Sequence, residues 1–179
     1  LLAEKKGINV LGSDINQAYA DLINDKSLKS LEPNIENYLS TSKNFMVTTD
    51  NIEVIKNNDV IFTFVQTPSD TDGGYIHDYV EEIIDDFEVL HISGYDLTGK
   101  IFVVGSTTMP NYIDTVYERL SKYGMDVCYN PEFIAQGDII KGLEYSDIVL
   151  IGSSSDYASN VLKEFYTKLM SIKPNFKFM

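Results

Sequence analysis

Short, continuous apolar runs alternate along this chain with longer stretches whose apolar residues recur every three or four positions. The runs cover residues 8–13, 45–48, 60–65, 101–105, 125–129 and 147–152. They are apolar at consecutive rather than alternate positions, which predicts strands covered on both faces. The run Val60-Ile61-Phe62-Thr63-Phe64-Val65 is rich in β-branched and aromatic residues, the strongest strand pattern of the set. Between the runs, 17–26 carries Ala18, Leu22 and Ile23 at helical spacing, and 34–42 predicts a short helix. Asp50 is placed to cap a helix through Lys56. Residues 78–90 form an acidic amphipathic stretch with Val80, Ile83, Ile84, Phe87 and Leu90 inward. Residues 111–123 place Ile113, Val116, Tyr117 and Leu120 on one face, and Gly124 ends them. Residues 156–170 predict a last helix. The stretches 27–33, 66–74 and 130–142 read as loops, and 171–179 as a tail without regular structure. Strands alternating with helices along the chain predict an α/β, doubly wound, mostly parallel sheet.

Composition narrows the function classes. The 179 residues include 14 Lys and Arg against 27 Asp and Glu, a formal net charge of −13. Such a field repels phosphate backbones and argues against a nucleic-acid partner. It leaves room for a small nucleotide held by backbone amides. No run approaches the ~18 apolar residues of a membrane helix, and no secretory signal is visible. One cysteine, Cys128, allows no internal disulfide and suits a reducing compartment, so a cytoplasmic setting is expected. One Cys with two His, His77 and His91, does not readily make a tetrahedral zinc site, so no metal is expected. Cys128 reads as a small buried hydrophobe, and both His as surface or turn residues with no partner recognisable in the sequence.

In an open parallel sheet, ligands bind beyond the carboxyl ends of the strands. Four such ends carry small hydroxyl or acidic residues: Asp14, Thr67-Pro68-Ser69, Ser106-Thr107-Thr108 and Asn130-Pro131-Glu132. An acid at the tip of the second strand of a Rossmann unit accepts hydrogen bonds from ribose hydroxyls and repels a 2′-phosphate. Asp14 in that place favours NAD over NADP; its alternative is a helix N-cap. Ser106 and Thr107 suit contacts to a nicotinamide, a ribose or a water, or else a turn that caps the helix after Asn111. Glu132, after a φ-restricted Pro131, is either a cleft carboxylate or an exposed loop acid.

The fingerprint glycines of such a unit precede the acidic residue by ~20 positions. Only 13 residues precede Asp14. Residues 1–7, Leu-Leu-Ala-Glu-Lys-Lys-Gly, read as the end of a helix. Both features lead to the expectation of a fragment whose sheet lacks its first strand. In the order 3-2-1-4-5-6 that strand lies centrally, so a gap or abnormal pairing is expected between 8–13 and 60–65.

Seven ordered segments carry a family resemblance: V-L-G-S-D-I-N (10–16), L-E-P (31–33), T-T-D (48–50), D-V-I-F-T-F-V-Q-T-P (59–68), G-S-T-T-M-P (105–110), N-P-E-F-I-A-Q-G (130–137) and D-I-V-L-I-G (147–152). The set resembles the N-terminal domain of the UDP-glucose/GDP-mannose dehydrogenases over nearly the whole chain. The resemblance implies oxidation of a nucleotide-sugar C6 hydroxymethyl to a carboxylate, in two steps with two NAD⁺. It implies that Asp14 holds the adenosine ribose, and that Thr67, Pro68, Ser106 and Thr107 line the dinucleotide cleft. Thr107 would also order a catalytic water, and Glu132 would assist water or proton handling. Glu132, Phe133, Ile134 and Gln136 would lie along the substrate. Gln136 replaces a Glu common in the family. The family's catalytic Cys, in a G-G-x-C motif, is absent, and Cys128 does not match it. Residues 1–170 would then be an incomplete NAD-binding domain, and 171–179 the start of the connection to a second half that often mediates homodimerisation. Two other readings stand beside this one. A 3-hydroxyacid-type NAD dehydrogenase would lack N-P-E-F, and a nucleotide-binding module without catalysis would lack the second half.

Overall fold

The computed structural model describes residues 8–133 and 137–179. The helix-end reading of residues 1–7 lies outside them. The chain divides into two compact units. One comprises Leu1–Asn57, Phe133–Val149 and Lys163–Asn175, and the other Asn58–Glu132, Leu150–Leu162 and Phe176–Met179.

In the first unit, β1 (Val10–Ser13) pairs in parallel with β2 (Phe45–Thr48), Val10 opposite Phe45 and Ser13 opposite Thr48. Helix α1 (Gln17–Asn24) starts at Asn16, whose side chain accepts the Tyr19 N–H. The Asn24 amide donates to Val47 O at 2.7 Å and accepts from Val47 N at 2.9 Å, occupying both backbone groups of one β2 residue. That double bond sets the rotation of α1. Ala20, one turn before Asn24, is therefore buried, while Ala18 and Leu22 are turned out to solvent. The expected inward face of this helix was displaced from the true one. Helix α2 (Ile35–Thr41) buries Leu39. Helix α3 (Asn51–Asn57) is capped as expected: Asp50 Oδ1 accepts from Ile52 N at 2.8 Å and Glu53 N at 3.3 Å.

The second unit is built on β3 (Val60–Thr63), β4 (Ile101–Val104) and β5 (Asp126–Tyr129), parallel neighbours with Val60 opposite Ile101 and Ile101 opposite Asp126. All four β4 residues are buried, which is why its sequence shows no alternation. Helix α4 (Asp78–Ile92) buries Val80, Ile84, Phe87 and Leu90, and the Phe87 ring meets Phe102 edge to face at 5.1 Å. Helix α5 (Tyr112–Leu120) buries Val116 and Leu120, then tightens into a 3₁₀ turn (Ser121–Tyr123) that Gly124 ends at φ 75°. Tyr117 is 43% exposed rather than inward. Arg119 and Tyr112 hold their side of α5 against α4 through Glu81, and Tyr117 lies on another face.

β6 (Ile148–Ser153) pairs antiparallel with β5, Cys128 opposite Ser153. Helix α7 (Asp156–Leu169) follows. The strands fall into two sheets, ordered β1-β2 and β3-β4-β5-β6-β7. Two expectations fail. Residues 130–142 are not all loop, because α6 (Ile139–Glu144) forms within and beyond them. Nor is the tail structureless: β7 (Asn175–Phe178) adds to the sheet edge, and Met179 N donates to Ile151 O at 3.0 Å. Its alternation of Phe176 and Phe178 with Asn175 and Lys177 is the period-two signal of a strand.

Candidate functional site

In the second unit, backbone and side-chain bonds lace together the carboxyl ends of β3, β4 and β5. Gly105 N donates to Thr63 O and Asn130 N to Val104 O, each at 2.9 Å. The buried Ser106 hydroxyl donates to Val65 O at 2.7 Å. It is therefore not a cap for α5, whose N-cap residue Asn111 also makes no side-chain cap bond. Thr107, the next residue, is exposed at the sheet's end. Asn130 is 2% exposed and donates through Nδ2 to Leu150 O at 2.8 Å. It holds the start of Asn130-Pro131-Glu132 against β6, and the Glu132 side chain is half-buried.

Thr67 is half-buried and Pro68 exposed, at the root of a closed loop. Pro68 O accepts from Ile76 N at 2.8 Å, and Ser69 bridges Tyr75. At the tip, Asp70 Oδ1 accepts from Asp72 N and Gly74 N, with Gly73 at φ 86°. His77 then ties this loop to the next strand end. Its Nε2 accepts from Met109 N at 3.2 Å, and its ring stacks on Tyr112 at 3.7 Å between centroids. Burial holds its pKa below the ordinary histidine value, in keeping with an unprotonated acceptor nitrogen. The structure thus gives His77 partners that the sequence does not reveal, and likewise His91, whose ring lies 4.1 Å from that of Tyr123.

In the first unit, Asp14 directly follows β1. Its N–H donates to Thr48 O at 3.1 Å, and its Oδ1 accepts from Asn16 N at 2.9 Å. The helix cap itself is Asn16, so the capping alternative for Asp14 does not hold. Phe133 is 63% exposed. Ile134 and Gln136 lie outside the described residues. Glu32, given no role by the sequence, accepts from Gly137 N and from Ile139 N, the latter at 3.2 Å.

Cys128 is fully buried, its thiol pushed up to about 11 by desolvation, which makes it inert as a nucleophile at neutral pH. Among the described residues no group of three or more His, Cys, Asp or Glu is placed to hold a metal ion. Among them, too, no helix is long and apolar enough to cross a membrane.

Parallel strands with polar carboxyl ends and intervening helices define an α/β domain of the Rossmann class. Residues 1–170 match the NAD binding domain of the UDP-glucose/GDP-mannose dehydrogenase family, and the chain belongs to that family. A GDP-mannose 6-dehydrogenase from Pseudomonas savastanoi pv. phaseolicola is 32% identical over 176 residues, 92% of this chain and 40% of that protein. A UDP-glucose 6-dehydrogenase from Rickettsia bellii is 28% identical over 168 residues, 91% of this chain and 38% of that one. Among solved structures, a ternary complex of GDP-mannose dehydrogenase from Pseudomonas aeruginosa shares the fold with a TM-score of 0.83 at 24% identity. That alignment covers 99% of this chain and 42% of the other. The chain therefore spans about 40% of the length of the curated relatives it matches.

Proposed function

We propose that the protein containing this chain is an NAD⁺-dependent nucleotide-sugar 6-dehydrogenase. It converts the sugar's C6 hydroxymethyl, with one water and two NAD⁺, to a carboxylate, two NADH and three protons. The observation that carries this reading is the clustering, at one end of three adjacent parallel strands, of Thr67-Pro68, Ser106-Thr107 and Asn130-Pro131-Glu132. The donor set suits the cofactor. Asp14 is an acidic acceptor for adenosine ribose hydroxyls, and the exposed Thr107 offers a hydroxyl at the end of β4. When bound, NAD⁺ supplies the hydride acceptor.

This chain's own residues have three tasks. Asp14, Thr67, Pro68 and Ser106 bind and orient the dinucleotide. Thr107 orders a water, and Glu132 takes up or returns a proton beside it. Phe133 lies along the substrate, together with Ile134 and Gln136. The covalent thiol chemistry of the family belongs to the other part of the protein. The net charge of −13 favours a small nucleotide over nucleic acid as partner, and the free buried Cys128 suits a reducing cytoplasm. A homodimer is the expected assembly of the whole protein.

The test is turnover by the whole protein with NAD⁺ and, separately, GDP-mannose, UDP-glucose and a UDP-N-acetylhexosamine. NADH fluorescence should rise with one of them, to two NADH per sugar consumed. No NADH from any of the three overturns the reading.

A further inference from the structure

The loops that follow β3 and β4 are tied to each other at both ends. At the strand ends, the Ser106 hydroxyl donates to Val65 O at 2.7 Å. At the far ends, Met109 N donates to His77 Nε2 at 3.2 Å. Thr67 and Pro68 lie between the two ties on one loop, Thr107 and Thr108 on the other. All of these residues belong to the second compact unit.

The far tie has a fixed base. His77 O accepts from Val80 N at 2.8 Å and from Glu81 N at 2.9 Å, which sets the residue at the start of α4. Its imidazole makes no cap bond there and reaches across to Met109 instead. Met109 O in turn accepts from Tyr112 N at 3.2 Å, and the Tyr112 ring stacks on the imidazole at 3.7 Å between centroids. His77, Met109 and Tyr112 thus close a ring of three contacts. Tyr112 is anchored besides by its hydroxyl, which donates to Glu81 in the first turn of α4. A side chain stacked on one face and hydrogen-bonded at its tip is locked by its surroundings, as a group that positions others must be.

The other loop is held one residue away. Ile76, directly before His77, donates its N–H to Pro68 O at 2.8 Å. A single step of the chain therefore separates the bond that holds Pro68 from the bond that holds Met109. We propose that His77 is a positioning residue for the dinucleotide: it fixes the spacing between Thr67-Pro68 and Thr107-Thr108, the two edges that grip the cofactor. This rests on the dehydrogenase reading above. The Ser106 bond matches the loops only where they leave the sheet, and a misplacement of about 1 Å farther out is enough to weaken the grip.

The experiment compares the whole wild-type protein with three variants, at a pH where the imidazole is neutral. His77→Ala should raise the NAD⁺ dissociation constant on the order of five- to tenfold, with that of the nucleotide sugar changed less than about twofold. His77→Gln, which keeps an acceptor for Met109 N, should recover most of the NAD⁺ affinity. His77→Phe, which keeps the stack on Tyr112 but no acceptor, should be as weak as His77→Ala. Arg119→Ala, which loosens α5 from α4 without touching the tie, should lose stability and keep its NAD⁺ affinity within about twofold. NAD⁺ binding by the wild type that His77→Ala leaves unchanged overturns this proposal alone. So does recovery by Phe equal to that by Gln, or a loss in Arg119→Ala as large as in His77→Ala. A wild type that neither binds NAD⁺ nor produces NADH overturns the function reading and this proposal with it.

Discussion

The His77 imidazole accepts the Met109 amide proton at 3.2 Å, joining the loop after β3 to the loop after β4. An imidazole nitrogen accepts only when unprotonated, so this contact has a pH sign. Burial lowers the His77 pKa, against smaller opposing effects of Glu81 and Asp78. The unfolded chain, near the ordinary value of 6.5, thus binds a proton more readily than the folded one. The stability associated with neutral His77 is fully present above pH 6.5. It is lost as the pH falls below that value toward the lower folded pKa. Thermal melts from pH 8 down to pH 5 should show this loss in the wild type. In His77→Gln, which keeps an acceptor but does not titrate, that part of the slope should vanish. An identical slope in the two proteins contradicts the assignment.

Arg119 gathers Glu81, Asp85 and Glu88 from successive turns of α4, the last two at 2.7 and 3.1 Å. Tyr112 donates its hydroxyl to the same Glu81, and its pKa is held above the ordinary tyrosine value by burial and that bond. Removing the guanidinium leaves three like charges stacked on one helix face. Arg119→Ala should lower stability in urea by about 1–2 kcal/mol, and Arg119→Lys by less, since a lysine keeps the positive charge but not the guanidinium's fork of donors. The difference should shrink in high salt.

Asp14→Ser should weaken NAD⁺ binding on the order of tenfold and narrow the preference over NADP⁺, because it removes both an acceptor and the charge that repels a 2′-phosphate. Calorimetric titration with each dinucleotide measures this. Equal affinities for NAD⁺ before and after the change would remove Asp14 from the ribose site.

A Cβ on Gly105 would lie 2.2 Å from Phe64 Cε1, too close to exist. The Phe64 ring is 58% exposed and stacks on Phe62 at 6.0 Å, so it can swing outward, but only by giving up that contact. Gly105→Ala should cost about 1–3 kcal/mol. The double variant Gly105→Ala with Phe64→Ala should cost less than the two single effects added together. Strict additivity in a double-mutant cycle would show that the ring is not what excludes the side chain.

The parts of the fold legible in the sequence are those that local rules govern. The buried runs of β3 and β4, the Asp50 cap and the Gly124 stop each follow from a few consecutive residues. What escaped depends on side chains meeting distant backbone. The inner face of α1 is decided by Asn24 on Val47, 23 residues away, which no periodicity records. Helix α6 has no cap of its own and borrows Glu32 from more than a hundred residues upstream. The antiparallel turn of β6 against β5 leaves the same apolar run that a parallel strand would. Of the candidate site, the strand-end hydroxyls and acids were visible because the fold dictates where ligands bind. The ties His77 to Met109 and Asn130 to Leu150 were not, since a polar residue's partner cannot be read from its type.

The Asn24 amide has a consequence beyond orienting its own helix. β2 is the last strand of its sheet, and an outermost strand ordinarily offers donors and acceptors to any extended chain that drifts by. By occupying the N–H and C=O of Val47 midway along a four-residue strand, one side chain stands in for a neighbouring strand. At Val47 an incoming chain finds both backbone groups taken, and what takes them is a primary amide rather than a strand.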